Sequence, residues 1–127
     1  MIFWGCEKES SGFKKVFAEL ELKSSGSNDT EVAVIVLSDQ NQQPLIAVVA
    51  DGTSSSGIQK SQEVSLPVGS NLIYNLYVRD NDDLFNDIQR AWSDVTFKIY
   101  VGNKLRLKKV YKKGDLNCTA YGNIIIE

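Results

Sequence analysis

From Val16 to Lys23, Val16, Ala18, Leu20 and Leu22 alternate with Phe17, Glu19, Glu21 and Lys23. A period of two with one polar face predicts a half-buried β-strand. Val32 to Leu37 is apolar throughout, and so is Leu45 to Ala50. Both runs are short, and the first is mostly β-branched, which favours buried strands over helices. Gln62 to Leu66 predicts a short strand, and Asn71 to Arg79 a long one with Leu72, Tyr74, Leu76 and Val78 on one face. Val95 to Val101 and Leu105 to Tyr111 flank Gly102-Asn103. A two-residue loop with glycine first predicts a type II′ hairpin. Gly122-Asn123 repeats that pattern and predicts a last turn between Leu116–Tyr121 and Ile124–Ile126. Ile124-Ile125-Ile126 is apolar on both faces, so it is expected as a covered strand.

Turn signals separate these runs. Ser24 to Asp29, Asp39 to Pro44, Asp51 to Gly57 and Pro67 to Ser70 are rich in Ser, Asn, Asp, Gly and Pro. About eight short strands with such spacing predict an antiparallel β-sandwich. The exception is Leu84, Ile88, Ala91 and Trp92, which share one face of a helix, with Phe85 beside them. One short helix is expected near 84–92. At 127 residues the chain is one domain with room for a real core. Residues 1–12 are expected as a tether or edge segment and 13–127 as the domain.

Composition narrows the chemistry. The chain has no histidine. That excludes imidazole-based triads and zinc sites that need His. Two cysteines cannot make a site that needs four thiolates, so a bound metal would be hard and held by oxygen. A net charge of −2 gives no overall pull toward nucleic acid. No glycine-rich phosphate loop is present, and nothing places two carboxylates across a cleft. The expectation is a non-enzymatic protein that binds no nucleic acid.

Four carboxylates, Asp80, Asp82, Asp83 and Asp87, crowd the connection after the long strand. Two readings stand. In the first, Asp82 or Asp83 caps the short helix, with acidic groups near its positive end. In the second, the carboxylates hold a cation. Val78, Asp80, Asp82, Asn86, Asp87 and Ile88 resemble the third loop of C2 domains. Asp39-Gln-Asn-Gln-Gln-Pro44, followed by Leu45-Ile-Ala-Val48, resembles that family's first loop. The resemblance covers roughly residues 32–101. Gln43-Pro44-Leu45 stands where C2 domains usually have Asp-Pro-Tyr, and Gln89 where they usually have Gly. The likeness implies a β-sandwich, C2-like or transthyretin-like. It also implies a possible Ca2+ site formed by Asp39, Asp80, Asp82 and Asp87 from two loops.

Seven of the 14 Lys and Arg residues fall between 98 and 113. Lys98, Lys104, Arg106 and Lys108 read as the outward alternates of a hairpin, with Tyr100 and Tyr111 interleaved. They are either a patch for an anionic partner or a solvated face that blocks sheet-to-sheet pairing.

Met1 to Cys6 is apolar, and Glu7 to Gly12 is polar. Gly5-Cys6 after bulky apolar residues resembles the end of a bacterial lipoprotein signal, in which the cysteine carries the lipid. Neither a basic run nor a long apolar run stands before Gly5, so this reading needs a longer precursor. Otherwise Phe3 and Trp4 belong to a strand packed on the core. A Cys6–Cys118 disulfide is a third use of Cys6, requiring Cα atoms within about 7 Å. No run is long and apolar enough to cross a bilayer as a helix. The expected function is an extracytoplasmic binding or assembly module with possible Ca2+. The alternative is a metal-free structural lipoprotein subunit, tethered to a membrane through lipid on Cys6, that binds a protein partner through its loops.

Overall fold

The computed structural model describes residues 12–23, 31–51, 58–80, 94–112 and 119–127. They form nine strands: β1 Phe13–Lys23, β2 Glu31–Ser38, β3 Pro44–Asp51, β4 Ile58–Lys60, β5 Val64–Pro67, β6 Asn71–Asp80, β7 Asp94–Val101, β8 Lys104–Tyr111 and β9 Thr119–Ile125. No helix occurs among the described residues. The helix expected near 84–92 lies outside them.

All pairings are antiparallel and make two sheets. One runs β4-β1-β7-β8, with β5 also paired to β1, and the other runs β3-β2-β6-β9. The alternation read from the sequence selects the inner faces. Val16, Ala18, Leu20 and Leu22 of β1 and Val95, Phe97, Ile99 and Val101 of β7 are buried. So are Ala33, Ile35 and Leu37 of β2 and Leu72, Tyr74, Leu76 and Val78 of β6. Both sheets contribute to one continuous core, in a sandwich-like arrangement. Tyr74 and Phe97 meet across it with ring centroids 5.2 Å apart.

Two turns differ from expectation. The β7–β8 loop is Gly102-Asn103, as read, with Val101 paired to Lys104. However, φ is 59° at Gly102 and 67° at Asn103. Positive φ at both central residues marks type I′, not type II′. Asparagine tolerates the left-handed region, so the second position can adopt it. Gly122-Asn123 is not a turn at all, since β9 runs unbroken through both residues. Gly122 lies opposite Tyr74, whose ring occupies the space a Cβ would fill.

Candidate functional site

Strand register decides which acidic residues can meet. On β2 and β6, Glu31 pairs with Asp80, and at the other end Ser38 pairs with Ile73. On β2 and β3, Val32 pairs with Asp51. Glu31, Asp51 and Asp80 therefore end three neighbouring strands at the same end of the sandwich, Glu31 and Asp80 at positions of one face and Asp51, paired with Val32, at a position of the other. Adjacent strands lie about 4.8 Å apart, so these three backbone positions fall within roughly 10 Å. The connections 24–30, 52–57, 81–93 and 113–118 all leave from this end.

Asp39 follows Ser38, so it lies at the opposite end. Seven residues separate Ile73 from Asp80 on β6, roughly 24 Å at about 3.4 Å per residue. Calcium binds oxygen at about 2.3–2.6 Å, so no single ion spans that gap. The expected set of Asp39 with Asp80, Asp82 and Asp87 is corrected accordingly: Asp39 belongs to no site with Asp80. Its carboxylate instead organises the β2–β3 turn. Asp39 Oδ1 accepts the backbone N–H of Asn41 at 2.8 Å and of Gln43 at 2.9 Å. The backbone N–H of Gln42 donates to the Asp39 carbonyl at 2.9 Å. Gln42 sits at φ 65°, a conformation that a turn must impose on a non-glycine residue. Asp39→Ala should remove two acceptor contacts and lower stability by about 1 kcal/mol. Urea unfolding with and without Ca2+ checks it, and any Ca2+ response should be the same as in wild type.

Asp82, Asp83 and Asp87 lie outside the described residues, as do Cys6 and Cys118. Among the described residues no three His, Cys, Asp or Glu form a group able to hold a metal. Glu31 and Asp51 were not singled out from the sequence. Their signal was present: each is a charged residue directly bounding a buried apolar run, at the open end of a hairpin.

The basic stretch is rearranged by a bulge. The β7–β8 register shifts between Ile99 and Tyr100, which face Leu107 and Leu105 and leave Arg106 as the extra residue. The bulge changes the alternation along β8. Lys108 pairs with Lys98 on the outer face, whereas Lys104 pairs with Val101, whose side chain is buried. Lys98, Lys104, Arg106 and Lys108 therefore do not form one outward row, which corrects that expectation. Lys98 and Lys108 instead line a shallow cavity of about 160 Å³ with Glu19, Glu21, Thr96 and Ile58. Its charge is mixed, since Lys98 lies directly across from Glu19.

Beside this cavity, Phe17 and Tyr100 stack at 4.7 Å and 11°. Lys60 Nζ sits 4.3 Å above the Phe17 ring. The Tyr100 hydroxyl donates to Glu19 Oε1 at 3.2 Å. Burial raises the Tyr100 phenol above its usual pKa, and the bond to Glu19 and its negative charge add to that. The phenol thus stays protonated and holds Glu19.

No protein-family model matches the chain. No curated protein matches it either. Among solved structures, the calcium-bound form of a protein from Parabacteroides distasonis, determined by NMR, aligns with a TM-score of 0.44 at 14% identity. The alignment covers 84% of this chain and 92% of that one. A DUF4425 family protein from Bacteroides ovatus aligns at 0.39 and 16% identity, over 89% of this chain and 94% of that one. A DUF4425 domain of unknown function from Bacteroides vulgatus aligns at 0.35 and 14%, over 89% and 93%.

Proposed function

We propose that the chain is a non-enzymatic, extracytoplasmic binding module, a C2-like sandwich that takes Ca2+ at the end where β2 and β6 set Glu31 opposite Asp80. The pairing of Glu31 with Asp80, two acidic residues at same-face positions of neighbouring strand ends, is the observation that carries the reading. Oxygen-only donors suit Ca2+, and the chain offers no histidine. Asp82 and Asp87, which follow Asp80 in the chain, complete the donor set. Like charges at neighbouring strand ends disfavour the metal-free state, so cation binding relieves repulsion there. Lipid on Cys6 supplies the tether, and a protein partner is the cargo of the loops.

Ca2+ that binds the folded but not the unfolded chain raises stability by mass action. At about ten times the dissociation constant the gain is about 1.4 kcal/mol. For a domain of this size that is several degrees in the midpoint of thermal unfolding. Asp80→Asn and Glu31→Gln should each abolish the shift while leaving the metal-free midpoint unchanged or slightly higher. Superimposable melting curves in millimolar Ca2+ and in chelator would refute the calcium assignment. That outcome selects the second reading, a metal-free lipoprotein subunit. The placement of Asp39 favours that reading, because it removes the first-loop ligand that the C2 resemblance implied.

A further inference from the structure

The outer face of the β3-β2-β6-β9 sheet carries an unusual set of side chains. Its outward positions are Val32, Val34 and Val36 on β2, Ala47 and Val49 on β3, Asn71, Ile73, Asn75 and Tyr77 on β6, and Thr119, Tyr121, Asn123 and Ile125 on β9. Below the row of Asp51, Val32 and Arg79, none of these positions holds a charged residue. The opposite sheet contrasts with it, for its outer face bears Lys15, Glu19, Glu21, Lys98 and Lys108. Tyr121 is 80% exposed and Val49 55%. Asn71, Asn75, Thr119 and Asn123 interrupt the apolar positions, and the face has the size of the largest patch on an ordinary monomer, a patch that is often functional.

We propose that this face is a homodimer interface, occupied by the same face of a second copy. Three observations select that occupant. The first is charge: a face without formal charge can meet itself, because two-fold symmetry sets no like charges against each other. The second is extent. Four strands at about 4.8 Å and about seven residues at about 3.4 Å span roughly 450 Å² in projection. Two such faces cover roughly 900 Å² in projection, close to the about 1,000 Å² at which specific interfaces begin. The third is relief. The β2–β3 half is shallow, built of valine and alanine, and the β6–β9 half is tall, built around Tyr77 and Tyr121. Register fixes which residues share a row: Ala47, Val36, Asn75 and Tyr121 in one, and Val49, Val34, Tyr77 and Thr119 in the next.

A two-fold axis in the interface, parallel to the strands, reverses strand order while keeping each row level. It sets Tyr121 of one copy against Ala47 of the other, and Tyr77 against Val34. Tall meets shallow at both contacts. An axis perpendicular to the strands would set β9 on β9, tall against tall, and hold the sheets apart beyond the usual spacing of about 10 Å.

The test is sedimentation equilibrium of the full chain, with circular dichroism to confirm folding. The expected mass rises with concentration from 14.1 kDa to twice that value. Tyr121→Asp and Ala47→Lys should each hold the protein at the monomer mass. An equimolar mixture of the two variants should recover the doubled mass, because Asp on β9 then faces Lys on β3. Thr119→Asp with Val49→Lys, one row away, repeats the exchange independently should either first variant fold poorly. A wild-type mass fixed at 14.1 kDa throughout overturns the proposal and leaves the face to another occupant. So does a dimer indifferent to all four substitutions, or a pair of folded monomeric variants whose mixture stays monomeric.

Discussion

Phe97→Ala should lower the free energy of unfolding by about 3–5 kcal/mol, the largest loss expected from a single side chain here. Phe97 is fully buried on β7. Its ring lies 5.2 Å from Tyr74 in the facing sheet and 6.5 Å from Tyr111 on β8. Truncation removes the transfer free energy of the ring and also leaves a void. Paired strands on either side of Phe97 hold the backbone in place, so the void cannot collapse freely. A domain of this size is stable by about 5–15 kcal/mol, so the loss is a large fraction of the total. Phe17→Ala should be milder. Phe17 lies on the outer face under Lys60 and beside Tyr100, where solvent can fill the space. Guanidinium unfolding of both variants measures the contrast. A loss below about 1 kcal/mol at Phe97 would show that the two sheets do not close on this ring.

The inner faces were legible because period two survives wherever one face is buried. The alternations in β1, β6 and β7 mark the buried residues directly. What periodicity does not encode is where a strand shifts phase. The bulge at Arg106 inserts one residue, and a one-residue slip sends each later side chain to the other face. That slip dispersed the basic row that simple alternation implied. The expected joining of Asp39 with Asp80 failed for a topological reason. Asp39 sits in the closed end of the β2–β3 hairpin, so it lies far from whatever leaves the hairpin's open end. Hairpin pairing of the two apolar runs 32–37 and 45–50 instead places Glu31 and Asp51 at the open end. Pairing β6 beside β2 is a different matter. It joins residues far apart in sequence, Val36 with Asn75 for example, through a contact that no local pattern announces.

Glycine at 122 shows how one residue type can carry two meanings, and it yields the second large effect. In sequence, Gly122-Asn123 reads as a turn. In the fold, Gly122 is a strand residue without positive φ, and its role is to leave room. A Cβ built there meets the Tyr74 hydroxyl at an impossible separation and lies 2.6 Å from Cζ and 3.0 Å from Cε2. Tyr74 cannot simply swing away, being buried and packed on Phe97. A side chain at 122 must therefore displace the Tyr74 ring or lift β9 off β6. Valine is ordinarily favourable in a strand. Here Gly122→Val should lower stability by about 3 kcal/mol, and Gly122→Ala by about 1–2 kcal/mol, through overpacking. Lifting β9 would also carry Tyr121 away from its place on the outer face. Tyr74→Leu removes the clashing ring atoms. In that background the sign should reverse. Gly122→Ala should then raise stability by about 0.4–1 kcal/mol, since alanine restricts the unfolded chain and no left-handed backbone opposes it. A double-mutant cycle in urea measures the coupling, expected at about 2 kcal/mol. If Gly122→Ala is as destabilising in the Tyr74→Leu background as beside the native Tyr74, the ring is not what requires glycine there.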